Sequence, residues 1–220
     1  MFIQKIKKII RVFLRKSLVK DYRQRIQNKE FTLITSNCVG GLISHDLGLQ
    51  FRSPTINMYI EAADFIQFCS HLERYLKEDL SFIEVNQDGH FVALCGDIKI
   101  YIVHYNSFEE FAKKWSERAK RVDFDQLYLM MSERDGCRYE DIVKFDTLPY
   151  KNKVIFTSKE MPEIQSAFYI PGIETKNNQK HKVKSVTTYL NSFTGKRYID
   201  LFDFVEFLNT GRKQLSKYEK

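Results

Sequence analysis

Short apolar runs alternate with amphipathic stretches after residue 30, and this alternation constrains the fold more than any other feature of the sequence. Runs typical of strands cover residues 31–35, 55–60, 126–131, 153–157 and 167–170. Strands that alternate with helices predict a three-layer, Rossmann-like α/β fold with a mostly parallel, mixed sheet. The segment "FVALCGDIKIYIVHY" adds one antiparallel hairpin, because Gly96-Asp97 is a plausible tight turn.

Helical periodicity fills the spaces between these runs. In the segment from residue 107 to 122, Ser107 and Glu110 form a capping box, and Trp115 falls on the apolar stripe. We therefore expect Trp115 in the core. The other predicted helices cover residues 61–77, 185–193 and 198–209, and "SERDGCRYEDIVKF" is predicted as a loop that leads into a helix.

The net charge of +7 belongs to one end of the chain. Residues 1–29 hold ten Lys or Arg and one acidic residue, a balance of +9, whereas the rest holds 25 basic and 27 acidic residues, a balance of −2. We therefore divide the chain into a basic segment, 1–29, and one α/β domain, 30–220. Nucleic acid is not expected as a partner, because the body has no basic excess to extend the footprint.

The basic segment has the periodicity of an amphipathic helix. One face carries Phe2, Ile3, Ile6, Ile9, Ile10, Phe13 and Leu14. Such a helix can lie on an anionic membrane surface, pack on its own domain, or pair with a second copy in a homo-oligomer. The sequence leaves these alternatives open.

The cysteines argue for a reducing compartment and against a metal site. Cys38, Cys69, Cys95 and Cys137 are scattered, without a C-x-x-C pair, which is typical of a cytoplasmic protein and not of a zinc site. The acidic pair in Asp123–Asp125 precedes an apolar strand, so it is expected at the wrong edge of the sheet for metal-assisted chemistry. No metal is predicted, and the sequence names no cofactor.

Ligands of open α/β sheets bind beyond the carboxyl ends of the strands, which selects the loop "SNCVGG" after the first strand. Its polar side chains and glycine pair suit an anion at the start of the next helix, and Cys38 there is a candidate nucleophile with a lowered pKa. The alternative is a strand–turn–helix joint with a small buried cysteine. Arg52 is a candidate phosphate clamp or an ordinary ion-pair partner. The predicted ligand-binding residues are Ser36, Asn37, Gly40, Gly41, Arg52 and Ser53.

Two further strand exits supply candidates for general acid–base catalysis. His104 ends an apolar strand, and Asp135 follows another in "SERDGC". The alternatives are a half-buried structural histidine and an Asp-Gly turn. If the protein is an enzyme, we expect Asn37, His104 and Asp135 to line one pocket.

Three segments, taken in their order along the chain, together resemble an uncharacterised bacterial family. They are "ITSNCVGGLISHDLGLQFRSPTINMYI", "ALCGDIKIYIVHYNSFEEFAKKWSERAKRV" and "MMSERDGCRYEDIVKFDTLPYKNKVIFT". The family is the domain of unknown function numbered nineteen-nineteen, whose members are often labelled exopolysaccharide or capsule biosynthesis proteins. The resemblance covers roughly residues 30–171. It implies an α/β domain that works in bacterial surface-polysaccharide synthesis.

These observations together predict a cytoplasmic enzyme held at the inner membrane surface by its first helix. It would transfer a glycosyl or acyl group to a polysaccharide precursor, with a sugar phosphate or lipid-linked sugar as ligand. The alternative is a non-catalytic module that binds such an intermediate or scaffolds a synthesis complex.

Overall fold

The computed structural model describes residues 2–175, 182–191 and 193–217. The helices are α1 (Phe2–Arg25), α2 (Val39–Leu47), α3 (Ala62–Ser70), α4 (Leu72–Tyr75), α5 (Phe108–Ala119), α6 (Tyr139–Thr147) and α7 (Phe204–Thr210), with 3-10 turns at Phe124–Gln126 and Tyr198–Leu201. The strands are β1 (Thr32–Thr35), β2 (Met58–Tyr59), β3 (Leu80–Val85), β4 (Phe91–Cys95), β5 (Ile98–Ile102), β6 (Leu127–Ser132), β7 (Lys153–Thr157), β8 (Ala167–Tyr169), β9 (Glu174–Thr175) and β10 (Lys182–Val183).

A parallel sheet of order β1-β6-β7-β8 forms the centre of the molecule. Neighbouring residues of each strand point to opposite faces, so the sheet contributes to two cores. Ile34, Leu129 and Ile155 face one cluster, which includes α3, α6 and the buried Trp115. Leu33 and Met130 face the other, which includes α1, α2 and α7. The predicted α/β class, the parallel sheet and the core position of Trp115 are confirmed.

The antiparallel strands form a second sheet of order β2-β5-β4-β3. The predicted hairpin is present, with β4 and β5 joined at Gly96, whose φ is +59°. These strands pair with one another and not with the parallel sheet, so two sheets replace the single mixed sheet expected. The edge strand β3 was not predicted. Its side chains are mostly exposed, with Phe82 49% accessible, so no one-sided alternation marks it.

Three of the predicted helices differ in the structure. The helix expected over 198–209 is divided into the 3-10 turn Tyr198–Leu201 and α7. The helix expected over 61–77 is divided at His71 into α3 and α4. The helix expected over 185–193 is absent from the described residues, where turns and an antiparallel bridge between Tyr189 and Arg197 take its place. The periodicity of this segment did not predict its structure, because its backbone hydrogen-bonds to residues 196–199 instead of forming a helix.

From residue 10 onward, helix α1 packs on the body through a face other than the predicted apolar one; the side chains of Phe2, Ile3, Ile6 and Ile9 lie outside the described part of the structure. Leu18 and Tyr22 are buried in the second core, whereas Phe13 is 71% exposed. Phe13 and Tyr22 are nine residues apart, which at 100° per residue places them on opposite sides of the helix. None of the helices among the described residues is long and apolar enough to span a membrane.

Candidate functional site

A cavity of about 360 Å³ opens beyond the carboxyl end of β1. The first turns of α2 form one wall, the residues that follow β5 form another, and the bridge between Tyr189 and Arg197 supplies the third. Its lining residues are Cys38, Gly41, Leu42, His45, Phe51, Asn57, His104, Thr187 and Arg197. The predicted strand-exit location therefore does contain a cavity, and three predicted site residues, Cys38, Gly41 and His104, line it.

Ser36 and Asn37 form hydrogen bonds to neighbouring segments of the fold and do not line this cavity. The Asn37 side chain is buried; its Oδ1 accepts the Val39 N–H at 3.2 Å, and its Nδ2 donates to Ser132 Oγ at 2.7 Å. The Ser36 backbone donates to Met130 and accepts from Ile60. Both residues thus join β1 to its neighbours, and the Asn37 amide is already occupied.

The two glycines of the loop allow close packing of α2. A Cβ at Gly40 would lie 2.8 Å from the Thr35 side chain, and a Cβ at Gly41 would lie 3.2 Å from Ile56. The glycine pair is therefore explained by contacts between α2, β1 and the loop before β2. Gly41 alone also borders the cavity.

Cys38 lines the cavity as a protonated thiol. Burial raises the pKa of the Cys38 thiol, and the nearby Asp135 carboxylate raises it further. The thiol lies 3.7 Å from the Met58 carbonyl oxygen, to which it donates. The expectation of a lowered pKa was wrong, because burial outweighs the field at the start of α2.

His104 lines the cavity from the second sheet. It follows β5, an antiparallel strand, so the rule for parallel strand exits does not apply to it. It reaches the site because β5 pairs with β2 and the His104 N–H donates to the Asn57 carbonyl at 3.3 Å. Its side chain is exposed and not half-buried. A mobile ligand can therefore reach the imidazole.

Arg52 and Ser53 lie outside the cavity and have internal partners. Arg52 forms an ion pair with Glu30. Ser53 is buried, and its hydroxyl is 2.8 Å from the Thr55 hydroxyl and accepts the Thr55 N–H at 3.2 Å. These contacts order the loop between α2 and β2, and they leave Ser53 without access to a ligand.

Asp135 is near Cys38 but does not line the cavity. Its backbone adopts φ +54°, a conformation that L residues other than Asn and Asp seldom adopt. Burial raises the pKa of the Asp135 carboxyl, Arg134 at 3.9 Å lowers it, and Glu61 raises it. A carboxylate at this position costs desolvation energy and has one distant cationic partner.

We expect Asp135→Asn to raise the melting temperature at pH 7 by a few degrees, since about 1 kcal/mol shifts a domain of this size by about 2–4 °C. Asn tolerates the same backbone conformation and carries no charge to desolvate. The wild-type carboxyl has a raised pKa in the folded state. Its contribution is therefore present at acid pH and lost as the pH rises through that folded-state pKa. Thermal melts from pH 4 to pH 8 should give melting temperatures of the two proteins that converge at the acid end. A difference in melting temperature that is independent of pH would contradict this account.

Arg197 is the cavity residue that the sequence did not reveal. Its Nε and Nη1 atoms are buried and have no hydrogen-bond partner among the described residues. The guanidinium carbon lies 5.1 Å from the centre of the Tyr189 ring, which also contacts Arg11 at 4.4 Å. A half-buried arginine beside a cavity, with two guanidinium nitrogens that lack a partner in the part of the chain that the structure describes, can bind an anion. The turn signal of Gly195, two residues before it, was the only indication in the sequence.

Helix α1 holds the Arg197 segment in place. A Cβ at Gly195 would lie 2.6 Å from the Arg11 carbonyl oxygen, so the backbones of this turn and of α1 are in direct contact. The Arg197 N–H donates to Asp200 Oδ2 at 2.6 Å, and Asp200 also pairs with Arg15. The third wall of the cavity therefore depends on α1.

Among the described residues, no group of three or more His, Cys, Asp or Glu side chains could hold a metal ion. The four cysteines are unpaired thiols. The groups that the structure offers to a ligand are therefore a guanidinium, two imidazoles, a thiol and the backbone at the start of α2.

Comparisons with known proteins place the chain in a family. It is 37% identical over 206 residues to a protein of Haemophilus influenzae (strain ATCC 51907 / DSM 11121 / KW20 / Rd) that is named "Uncharacterized protein". The match covers 94% of this chain and 97% of that relative. The sequence profile described as "Domain of unknown function (DUF1919)" matches residues 9–209, which include every wall of the cavity. The chain belongs to this family of domains of unknown function.

Proposed function

We propose that the cavity beyond β1 binds the phosphate group of a phosphorylated saccharide. The observation that carries the proposal is the half-buried Arg197 side chain at the cavity, whose Nε and Nη1 atoms have no hydrogen-bond partner among the described residues. His45 on another wall adds a donor for phosphate oxygens, and Leu42 and Phe51 offer apolar surface to a sugar ring or base. A volume of about 360 Å³ suits a small ligand of this kind.

The reaction proposed is transfer of a glycosyl or acyl group onto a precursor of a bacterial polysaccharide. An acceptor hydroxyl would attack the donor carbon, the bond to the phosphate-bearing leaving group would break, and His104 would take the hydroxyl proton. Arg197 would balance the charge on the leaving group. The saccharide is proposed from the labels that members of the resembling family often carry, and the cytoplasm is proposed as the location from the unpaired cysteines. An anionic membrane surface is the proposed partner of α1.

A non-catalytic binding module remains the second candidate, and one observation favours it. Asn37 and Asp135 do not line the cavity that His104 lines, so three candidate groups are not gathered around one reacting atom. The two candidates differ in a measurable outcome. An enzyme releases the leaving group of a nucleotide sugar or acyl donor when an acceptor is present, whereas a module leaves the donor intact.

Replacement of Arg197 by methionine is expected to weaken binding of a nucleotide sugar about tenfold to a hundredfold, because a charge-assisted hydrogen bond is lost. Uridine diphosphate glucose is the first probe, measured by isothermal titration calorimetry. Arg212→Met is the matched control, since Arg212 is exposed and away from the cavity. Equal affinity of the Arg197 and Arg212 variants would show that the cavity is not the phosphate site.

A further inference from the structure

A second cavity, of about 510 Å³, lies between α1 and the end of α2. We call it the α1–α2 groove. Its lining residues are Arg15, Lys16, Val19, Lys20, Arg23, Gln24, His45 and Asp46. The proposed reaction does not use this groove, although His45 borders both the groove and the cavity beyond β1.

The groove carries an excess of positive charge. Its one carboxylate, Asp46, is already paired with Arg15, which also pairs with Asp200. Lys16 and Lys20 have no acidic partner within 4 Å in the part of the chain that the structure describes. Two ammonium groups are thus available to an incoming anion.

Arg23 is held at the rim of the groove by the end of α2. Its Nε donates to the Asp46 carbonyl oxygen at 2.8 Å, and its Nη2 lies 3.5 Å from the His45 carbonyl oxygen. These contacts satisfy backbone acceptors at the carboxyl end of the helix. They also fix the guanidinium on the same side as Lys20, because residues 20 and 23 are neighbours on a helical surface.

An exposed apolar side chain stands beside these cations. Phe13 is 71% exposed, and at 100° per residue Lys16 and Lys20 lie within about 60° of it around the helix axis. Val12, 47% exposed, flanks Phe13. An apolar side chain next to unpaired ammonium groups is the arrangement of helices that lie in the interface of an anionic bilayer.

We propose that the α1–α2 groove binds the headgroup phosphate of an anionic phospholipid while Phe13 enters the bilayer interface. The charge of the groove complements a phosphodiester, and the adjacent exposed side chain complements the acyl region. This inference rests on the membrane part of the proposed function and is independent of the ligand in the cavity. His45 borders both the groove and the cavity beyond β1, so a membrane bound at the groove would lie next to that cavity.

The test is co-sedimentation of the full chain with vesicles of phosphatidylcholine, with and without phosphatidylglycerol. We expect binding to the anionic vesicles only. Lys16→Gln/Lys20→Gln should weaken it about 25-fold, which is the effect of removing two cations near an anionic surface. The matched control is Lys77→Gln/Lys113→Gln, which removes the same charge from exposed positions on other parts of the body and should change binding less than twofold.

Three results would overturn the proposal. One is equal loss of binding in both double variants, which would mean attraction by net charge alone. Another is saturable binding of inorganic phosphate or glycerol phosphate without vesicle binding, which would mean a soluble ligand. The third is concentration-dependent dimerisation that Phe13→Ser abolishes, without vesicle binding, which would mean that a second copy covers this face.

The same variants separate this proposal from the proposed function. Lys16→Gln/Lys20→Gln should bind uridine diphosphate glucose as the wild type does, since neither lysine lines the cavity beyond β1. Loss of vesicle binding with unchanged nucleotide-sugar binding supports the groove. Nucleotide-sugar binding that fails in the wild type contradicts the proposed function and leaves the vesicle result valid.

Discussion

Replacement of Arg15 by methionine is expected to lower the free energy of unfolding by about 3–5 kcal/mol, the usual cost of removing one partner from a buried charge network. Arg15 pairs with Asp46 and with the fully buried Asp200, whose other oxygen accepts the Tyr22 hydroxyl at 3.0 Å. Without the guanidinium, Asp200 would be a buried carboxylate with neutral donors only. Chemical denaturation at pH 7 measures the change.

The control for this prediction is Arg74→Met. Arg74 also contacts two carboxylates, Glu78 and Asp97, but its side chain is 54% exposed, so solvent screens the pair. We expect a much smaller loss of stability there, because both ion pairs of Arg74 are exposed to solvent. The double variant Arg15→Met/Asp200→Asn should recover part of the lost stability, because the carboxylate is removed together with its partner. If Arg15→Met costs no more than Arg74→Met, the network does not stabilise the attachment of α1.

Replacement of Gly195 by alanine is expected to cost about 2–5 kcal/mol and to displace the turn that precedes Arg197. The new Cβ would lie 2.6 Å from the Arg11 carbonyl oxygen and 2.9 Å from the Arg15 nitrogen. Both are backbone atoms of a helix and cannot move aside, so overpacking adds to the strain of an L residue at φ +68°. Thermal denaturation and uridine diphosphate glucose titration should both report the change.

Gly89→Ala is the control that separates the backbone strain of an L residue at positive φ from the steric clash with α1. Gly89 has φ +80°, and no atom lies within 4 Å of the position of its Cβ. We expect a loss of about 1–2 kcal/mol there, from the left-handed conformation alone. If Gly195→Ala lowers the free energy of unfolding no more than Gly89→Ala does, the contact between the turn and α1 does not contribute to stability.

Both large effects concern one junction, in which α1 holds the segment that carries Arg197. Arg11 and Arg197 contact the same Tyr189 ring, and Arg15 reaches the carboxylate that accepts the Arg197 N–H. The basic segment therefore contributes to the construction of the cavity, whichever surface its outer face binds. A displacement of α1 would be transmitted to the cavity through these contacts.

Local patterns were sufficient for some elements and insufficient for others. The strands of the parallel sheet were predicted from their own sequences, because strands covered on both faces form mostly apolar runs, as in β1, β6 and β7. The capping box at Ser107 was also visible, and the structure has the Ser107 hydroxyl accepting the Glu110 N–H at 3.2 Å. The helix predicted for 185–193 was wrong, because the backbone of this segment hydrogen-bonds to residues 196–199 and not within a helix of its own.

The candidate site shows the same division. The loop after β1 was found because glycines and polar residues at a strand exit are a local signal, yet its residues divide between structural roles and the cavity. Asn37 and Ser53 satisfy backbone and side-chain partners inside the fold. Residue type indicated which groups could bind a ligand, but only their neighbours determined which remained available.

The sequence by itself determined the α/β class, the parallel strands, the concentration of basic residues in the first 29 residues and the loop at which a cavity lies. These follow from periodicity, charge and turn chemistry over short stretches. The tertiary structure alone decided that the antiparallel strands form a separate sheet, that α1 packs through Leu18 and Tyr22, and that two Arg197 nitrogens at the cavity lack a hydrogen-bond partner among the described residues. Those outcomes depend on contacts between segments that are distant in the sequence. A local sequence pattern does not determine the energies of such contacts.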